Sequence, residues 1–504
     1  MFLLCSLFAS LAASSNAQVL TEKWYNEMPL DHFSFTNTFT FKLRYKVSEE
    51  FYRAGGPIFF YCGNEGTIDF YINNTGIVFE WAREFSGAVV YAEHRFYGKT
   101  QPFGDKSYSS VEQLGYLTSE QALGDYAQLI VSLKKETFSE KSPVIAFGGS
   151  YGGMLAAWIR IKYPHIVSGA VASSAPVFMF LNTPEMERSF YGTTTRTFVT
   201  SGCDFQIVNG VWGALRELAK TAQGRAFLNR KLNERTQIES AEDVVLLIKF
   251  AEEAFVDLAM ADYPYATDTL SSLPAWPVKS ACESFKTPKK TDEQYAEALF
   301  ELLNLQKNYT GDLPSFCINP IVCALHDKFG MLKGWTWQTC TEMVIPVCGA
   351  GPPSDFFEVS CPVTTEVLAA GCENLYGGIG YKRAMMRRGW VLTEYGSRLP
   401  SASNIVFSNG LLDAVAGGGW AQTSKVDGSV VSLIVKDGAH MYDLQKANAN
   451  DTESVKEVRE EEMKYIARWI REAGDNASGD DSKSGTSPWV SSALLLSLAL
   501  VDLL

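Results

Sequence analysis

Phe147-Gly148-Gly149-Ser150-Tyr151-Gly152-Gly153 is the stretch on which the reading of this chain turns. It contains G-x-S-x-G at Gly148, Ser150 and Gly152. The apolar run Pro143-Val-Ile-Ala-Phe147 precedes it, and helical periodicity from Gly152 to Lys162 follows. A serine set on a sharp strand-to-helix turn is thrust toward solvent, and side chains beside it would clash, so glycines flank it. The motif alone is common by chance. With a buried strand before it and a helix after it, Ser150 reads as a nucleophile.

Working outward, short apolar runs alternate with helical segments. Pro57-Ile-Phe-Phe-Tyr-Cys62 and Gly87-Ala-Val-Val-Tyr91 read as buried strands. Thr118 to Glu136 reads as a helix, opened by a capping box of Thr118 and Gln121. A further strand begins at Ala170-Val-Ala172. The β pattern returns at Asn404-Ile-Val-Phe407 and Ser432-Leu-Ile-Val435, and an amphipathic helix from about Thr452 to Glu472 closes it. Strand alternating with helix implies a parallel sheet covered on both faces, an α/β fold. Between 185 and 375 the periodicity is mostly helical, which predicts an insertion between two halves of one sheet. The expected division is 1–17 as a signal peptide, 18–184 and 376–474 as the two core parts, 185–375 as the insertion, and 475–504 as a tail.

A serine hydroxyl needs a base, usually histidine. The chain has five: His32, His94, His165, His326 and His440. The order Ser…Asp/Glu…His expected after such an elbow removes His32 and His94. His165 follows Pro164 just past the elbow helix, and His326 lies among cysteines. His440 follows the strand 432–435 in the loop Lys436-Asp-Gly-Ala-His440, where a base should emerge. The acid should follow the preceding strand, which selects Asp413. Asp437 and Asp443 are too near His440 in sequence to sit on another strand end and read as solvated. The oxyanion is expected to meet the Tyr151 backbone N–H and a donor from the loop Gly63-Asn64-Glu65-Gly66, with Asn64 the candidate. No motif calls for a metal or a nucleotide cofactor.

The chain has 504 residues with Lys+Arg 44 against Asp+Glu 57, a formal charge of −13. Hydrophobic residues at 46% and charged residues at 20% fit a globular chain with an ample core and exclude a disordered or fibrous one. Without a basic run, a nucleic-acid partner is set aside. Residues 2–13 form a secretory-length apolar stretch, and Ser15-Asn16-Ala17 suits signal cleavage. Nine cysteines remain after that cleavage. Cys62, inside an apolar run, reads as a free buried thiol. The other eight could form four disulfides whose pairing the sequence leaves open. Sequons begin at Asn73, Asn308, Asn450 and Asn476. A polar stretch from Gly474 to Ser487 precedes the short apolar tail Trp489 to Val501, which matches a GPI attachment signal at Asn476-Ala477-Ser478. Together these predict a secreted, lysosomal or GPI-anchored glycoprotein, with a homodimer left open.

Several stretches resemble the S28 family of serine exopeptidases, whose activities include Pro-X carboxypeptidase and dipeptidyl peptidase. They are Gly63-Asn-Glu-Gly66, Ala92-Glu-His-Arg-Phe-Tyr-Gly98, Gly148-Gly-Ser-Tyr-Gly-Gly-Met-Leu155, Tyr263-Pro-Tyr265 with Leu273-Pro-Ala-Trp-Pro277, Phe407-Ser-Asn-Gly410 and Gly438-Ala-His440. The resemblance implies an α/β-hydrolase core with an inserted helical, disulfide-bonded cap, peptide substrates cut beside proline near one terminus, and a triad of Ser150, Asp413 and His440. It also points to Glu65, Met154 and Val415 around the substrate pocket. Two departures stand out. Where the family reads Leu-Asp-Pro-Trp, this chain has Leu412-Asp413-Ala414-Val415, and Met441 replaces a second histidine. Valine in place of an aromatic wall leaves a wider space than a proline ring needs. A carboxypeptidase needs donors for a terminal carboxylate, whereas a dipeptidyl peptidase needs an acid such as Glu65 or Asp69 for the amine. An esterase and a non-catalytic adhesion protein are the rivals; the first would want a long apolar lid, the second a broken triad.

Overall fold

The computed structural model describes residues 20–232, 237–268, 271–311, 318, 331–396, 402–420 and 425–483. Among them nine strands form one sheet in the order β1-β2-β4-β3-β5-β6-β7-β9-β8. They are β1 Thr21–Pro29, β2 Thr40–Ser48, β3 Ile58–Cys62, β4 Ala88–Ala92, β5 Val144–Gly149, β6 Gly169–Ser173, β7 Ile405–Gly410, β8 Lys425–Asp427 and β9 Val430–Val435. The six strands from β4 to β9 in that order pair in parallel, and β1, β2 and β8 add antiparallel edges. Every residue of β3, β4, β5, β6 and β7 is buried, as expected of strands covered on both faces.

Helices α1 Ile68–Asn74, α2 Ile77–Glu84, α3 Ser119–Glu136 and α4 Tyr151–Lys162 flank the first half of the sheet. Thr118 caps α3, its hydroxyl accepting the Gln121 N–H. The reciprocal half of the box is absent: the Gln121 side chain accepts from the His32 N–H and donates to Asp31. The long final helix, Glu453–Lys483, packs on the same face as α1 and α2, opposite α3 and α4. Trp469 lies over Gly169 so closely that a Cβ there would sit 2.2 Å from the indole.

Between β6 and β7 stands a helical cap with its own core. It includes α5 Pro184–Thr200, α6 Phe205–Lys220, α7 Val244–Met260, α8 Asp292–Asn308, α9 Met331–Thr341 and α10 Thr365–Tyr376. Disulfides Cys203–Cys282, Cys340–Cys372 and Cys348–Cys361 tie it, and Cys62 is free and buried. Cys317, Cys323 and His326 lie outside the described residues, as do the signal segment 1–17 and the apolar tail from Trp489. The fold is therefore an α/β-hydrolase core with an inserted, disulfide-bonded helical cap. One expectation needs correction at the C-terminus. The final helix does not stop near Glu472 but runs to Lys483, because no proline interrupts it and Gly474 and Gly479 are weak stops. Asn73 and Asn450 are exposed, and Asn308 is half-buried at the end of α8.

Several buried carboxyls titrate high. Burial pushes Glu342 up to about 8 and Asp262 up to about 7. Glu462, wholly buried with neither oxygen hydrogen-bonded, is raised by burial and then by Asp443 beside it. The folded chain thus keeps protons that an unfolded chain sheds above about pH 4.5, and stability falls as pH rises. His94, held down at about 4 by burial, acts in the opposite sense, but only up to about pH 6.5. The thermal midpoint should accordingly drop between pH 6.5 and 8, with Glu342→Gln flattening the drop. A midpoint that rises over that interval would contradict this assignment.

Candidate active site

Ser150 sits between β5 and α4 with φ 58° and ψ −127°, a region that non-glycine residues rarely enter. The turn exists because its neighbours have no side chains. A Cβ on Gly148 would lie 2.0 Å from the Gly152 carbonyl oxygen, one on Gly149 would lie 2.1 Å from Met441 Sδ, and one on Gly152 would meet Asn64 Oδ1 at 2.1 Å. The Ser150 N–H donates to the Ser173 carbonyl at 2.9 Å, which pins the elbow to the end of β6. Ser150 remains half-exposed while its flanks are buried.

Asp413 lies just beyond β7 and His440 in the loop after β9. Their side chains meet, with Nδ1 2.8 Å from the Asp413 Oδ2, and Asp413 is fully buried. The other carboxylate oxygen, Oδ1, accepts the Val415 N–H at 3.0 Å. With Nδ1 donating to a carboxylate, Nε2 is left as the free base. Met441 joins this pair to the elbow. Its side chain fills the space left by Gly149, and its N–H donates to Ser174 Oγ at 2.9 Å. The residues adjoining Ser150 and His440 are thus in van der Waals contact. The Ser150 hydroxyl itself has no hydrogen-bond partner among the described residues, as is common where the serine–histidine contact tightens only around substrate.

The remaining sequence candidates fall in distinct places. Tyr151 opens α4, so its N–H belongs to the first-turn donors that have no acceptor within the helix. Asn64 is buried, and its amide donates to the Gly149 carbonyl at 2.5 Å while its oxygen accepts from Tyr61 OH. Its side chain is thereby spent on holding the elbow. Glu65, next to it, is half-buried, with Oε2 enclosed and unpartnered. Met154, on α4, is 1% exposed and packs into the core between that helix and the sheet. Val415 lies in the turn Ala414–Gly418 directly after Asp413. Asp443, read as solvated, is instead buried and receives hydrogen bonds from Ser173 and Ser408 at 2.6 and 2.7 Å. Asp69 is bound by Lys46 and by Arg44, which keep it down at about 2 against the opposing effect of burial.

Sequence reasoning missed how the cap holds the two partner residues. The His440 N–H donates to the Met260 carbonyl at 2.9 Å, and Tyr263 OH donates to the His440 carbonyl. Thr197 Oγ1 and Arg196 donate to the carbonyls of Leu412 and Leu411, immediately before the acid. Cap helix α9 reaches the residue after the elbow: Gln338 Nε2 donates to Tyr151 OH at 2.9 Å, and His94 Nε2 lies 3.0 Å from the same oxygen. The only sequence-level signal was the stretch Tyr263-Pro-Tyr265.

A family model described as "Serine carboxypeptidase S28" matches residues 28–462. "Prolyl carboxy peptidase like protein 5" of Caenorhabditis elegans is 48% identical over 462 residues, covering 90% of this chain and 91% of that protein. "Lysosomal Pro-X carboxypeptidase" of Homo sapiens is 40% identical over 471 residues, 92% of this chain and 91% of that protein. The mouse protein of the same name is 40% identical over 451 residues, 88% of each.

Removal of the Asn64 amide leaves the Gly149 carbonyl buried without its donor. Asn64→Ala should cost about 1–3 kcal/mol of stability, read by denaturant unfolding. An unchanged unfolding free energy would mean that the elbow does not depend on this bond.

Proposed function

The chain belongs to the serine carboxypeptidase S28 family and is a serine peptidase. From that premise we propose that it is a Pro-X carboxypeptidase-like exopeptidase working through Ser150, Asp413 and His440 and an acyl-enzyme. The observation that carries this reading is the Asp413–His440 bond of 2.8 Å, on a loop whose Met441 packs against the Ser150 elbow. His440 Nε2 takes the Ser150 proton as Oγ attacks the peptide carbonyl, and Asp413 steadies the imidazolium that forms. The Tyr151 N–H faces the oxyanion, with a backbone donor of the 63–66 loop as its partner. His440 then returns the proton to the departing amine, and water releases the acyl group by the same route.

Val415 bears on specificity. It stands where the family has an aromatic residue, so the proline preference of this chain should be weaker than that of an aromatic-walled site. The described disulfides, the exposed sequons at Asn73 and Asn450 and the names of the relatives support a secretory or lysosomal route. GPI attachment near Asn476 remains part of this proposal.

Ser150→Ala should abolish peptide cleavage with an unchanged thermal midpoint, and Asp413→Asn should lower kcat by roughly 10⁴-fold. Undiminished turnover by Ser150→Ala would end the reading. Peptides blocked at one terminus identify which end is read. Cleavage of N-blocked but not C-blocked peptides is expected, and the reverse would favour a dipeptidyl peptidase.

A further inference from the structure

A carboxypeptidase must hold the free carboxylate of its substrate within a few ångströms of the scissile nitrogen, hence close to the histidine that protonates that nitrogen. Among the described residues, the buried Arg44 and Arg95 are already committed to carboxylates. Arg44 is engaged by Glu22, Asp69 and Glu93, and Arg95 is engaged by Asp125. What does stand there is Glu65. It lies in the loop after β3, directly after the Asn64 that braces the elbow, and within electrostatic reach of His440. Its Oε2 is enclosed, yet no described residue bonds to it. Such an atom costs free energy unless a ligand completes it.

We propose that Glu65 reads the substrate's C-terminal carboxylate, its own carboxyl group donating the O–H to it on the leaving-group side of the site. This inference rests on the carboxypeptidase reading above. The titratable groups facing Glu65 are His440 and the phenols of Tyr61, Tyr71, Tyr97 and Tyr151. Burial raises Glu65 above the ordinary carboxyl range, and the pull of its own backbone N–H, His440 and the Asn64 amide opposes this without reversing it. The tyrosines are themselves raised by burial, so they stay neutral and add no positive charge. A neutral carboxyl can donate one hydrogen bond to a carboxylate, whereas an ionised one repels it. A neutral carboxyl likewise has little to offer an ammonium group, which separates this role from an amine anchor.

Glu65→Gln keeps the shape and donates a hydrogen bond at every pH. With an N-blocked peptide bearing a free carboxylate, the wild type should lose kcat/KM on the alkaline side, about tenfold per pH unit once Glu65 ionises. Glu65→Gln should keep its activity there, leaving the acid limb unmoved. Glu65→Ala should raise KM for that peptide about tenfold or more with kcat little changed. Circular dichroism and a melting curve confirm that each variant is folded, and Glu65→Gln carries the test if the alanine variant is not. Identical alkaline limbs for wild type and Glu65→Gln overturn the assignment. So does loss of activity by Glu65→Gln at all pH values, which means the ionised carboxylate is required. Wild-type protein that fails to cut the N-blocked peptide overturns the carboxypeptidase reading and this inference with it, a result distinct from either of the first two.

Discussion

At the end of β5 the backbone is forced into a left-handed turn at a serine, and the surrounding packing has to sustain that strain. A residue in this region costs on the order of 1–3 kcal/mol and persists only where its neighbours over-determine it. Here three glycines admit the neighbours that do so: the Gly152 carbonyl against Gly148, the Met441 thioether against Gly149 and the Asn64 amide group against Gly152. The Asn64 side chain then ties the loop after β3 to the Gly149 carbonyl. Elbow, first loop and histidine loop are therefore one packed unit, and substitution in any of them is felt in the others.

The cap belongs to that unit as well. It supplies the hydrogen-bond partners on both sides of the His440 peptide, through Met260 and Tyr263, and holds the carbonyls before Asp413 through α5. The sheet sets the order of the strand ends, and the cap fixes the orientation of the loops that leave them. Disulfides within the cap consequently have a bearing on the site: Cys203–Cys282 binds the segment after α5 to the one following Tyr263, so both grips share one staple.

Much of this was legible in the chain because it depends on local chemistry. Short, continuous apolar runs such as Ile58–Cys62, bounded by turn residues, read as doubly covered strands, and the glycines around Ser150 announce a turn that tolerates no Cβ. The order of strand ends then selected Asp413 and His440 from many acids and five histidines. Other features were not legible. β1 is an edge strand with exposed positions and β2 joins it to β4, and neither carries a continuous apolar run, so their antiparallel pairing depends on non-local register. Asp443 looked like a surface carboxylate because sequence does not show that Ser173 and Ser408, from two other strands, converge on it. Gln121 satisfied the capping-box spacing, but its side chain found His32 and Asp31 instead. The cap's grip on His440 joins residues 177 positions apart, and no local pattern encodes it.

The central claim is that the strained serine, and no other hydroxyl, is the nucleophile that the Asp413–His440 pair activates. Treating the native protein with a fluorophosphonate and locating the adduct by peptide mass spectrometry tests it most directly. The account predicts a single modified residue, Ser150, and no modification once the protein has been unfolded beforehand. An adduct on a different residue, or a native protein that does not react at all, would contradict it.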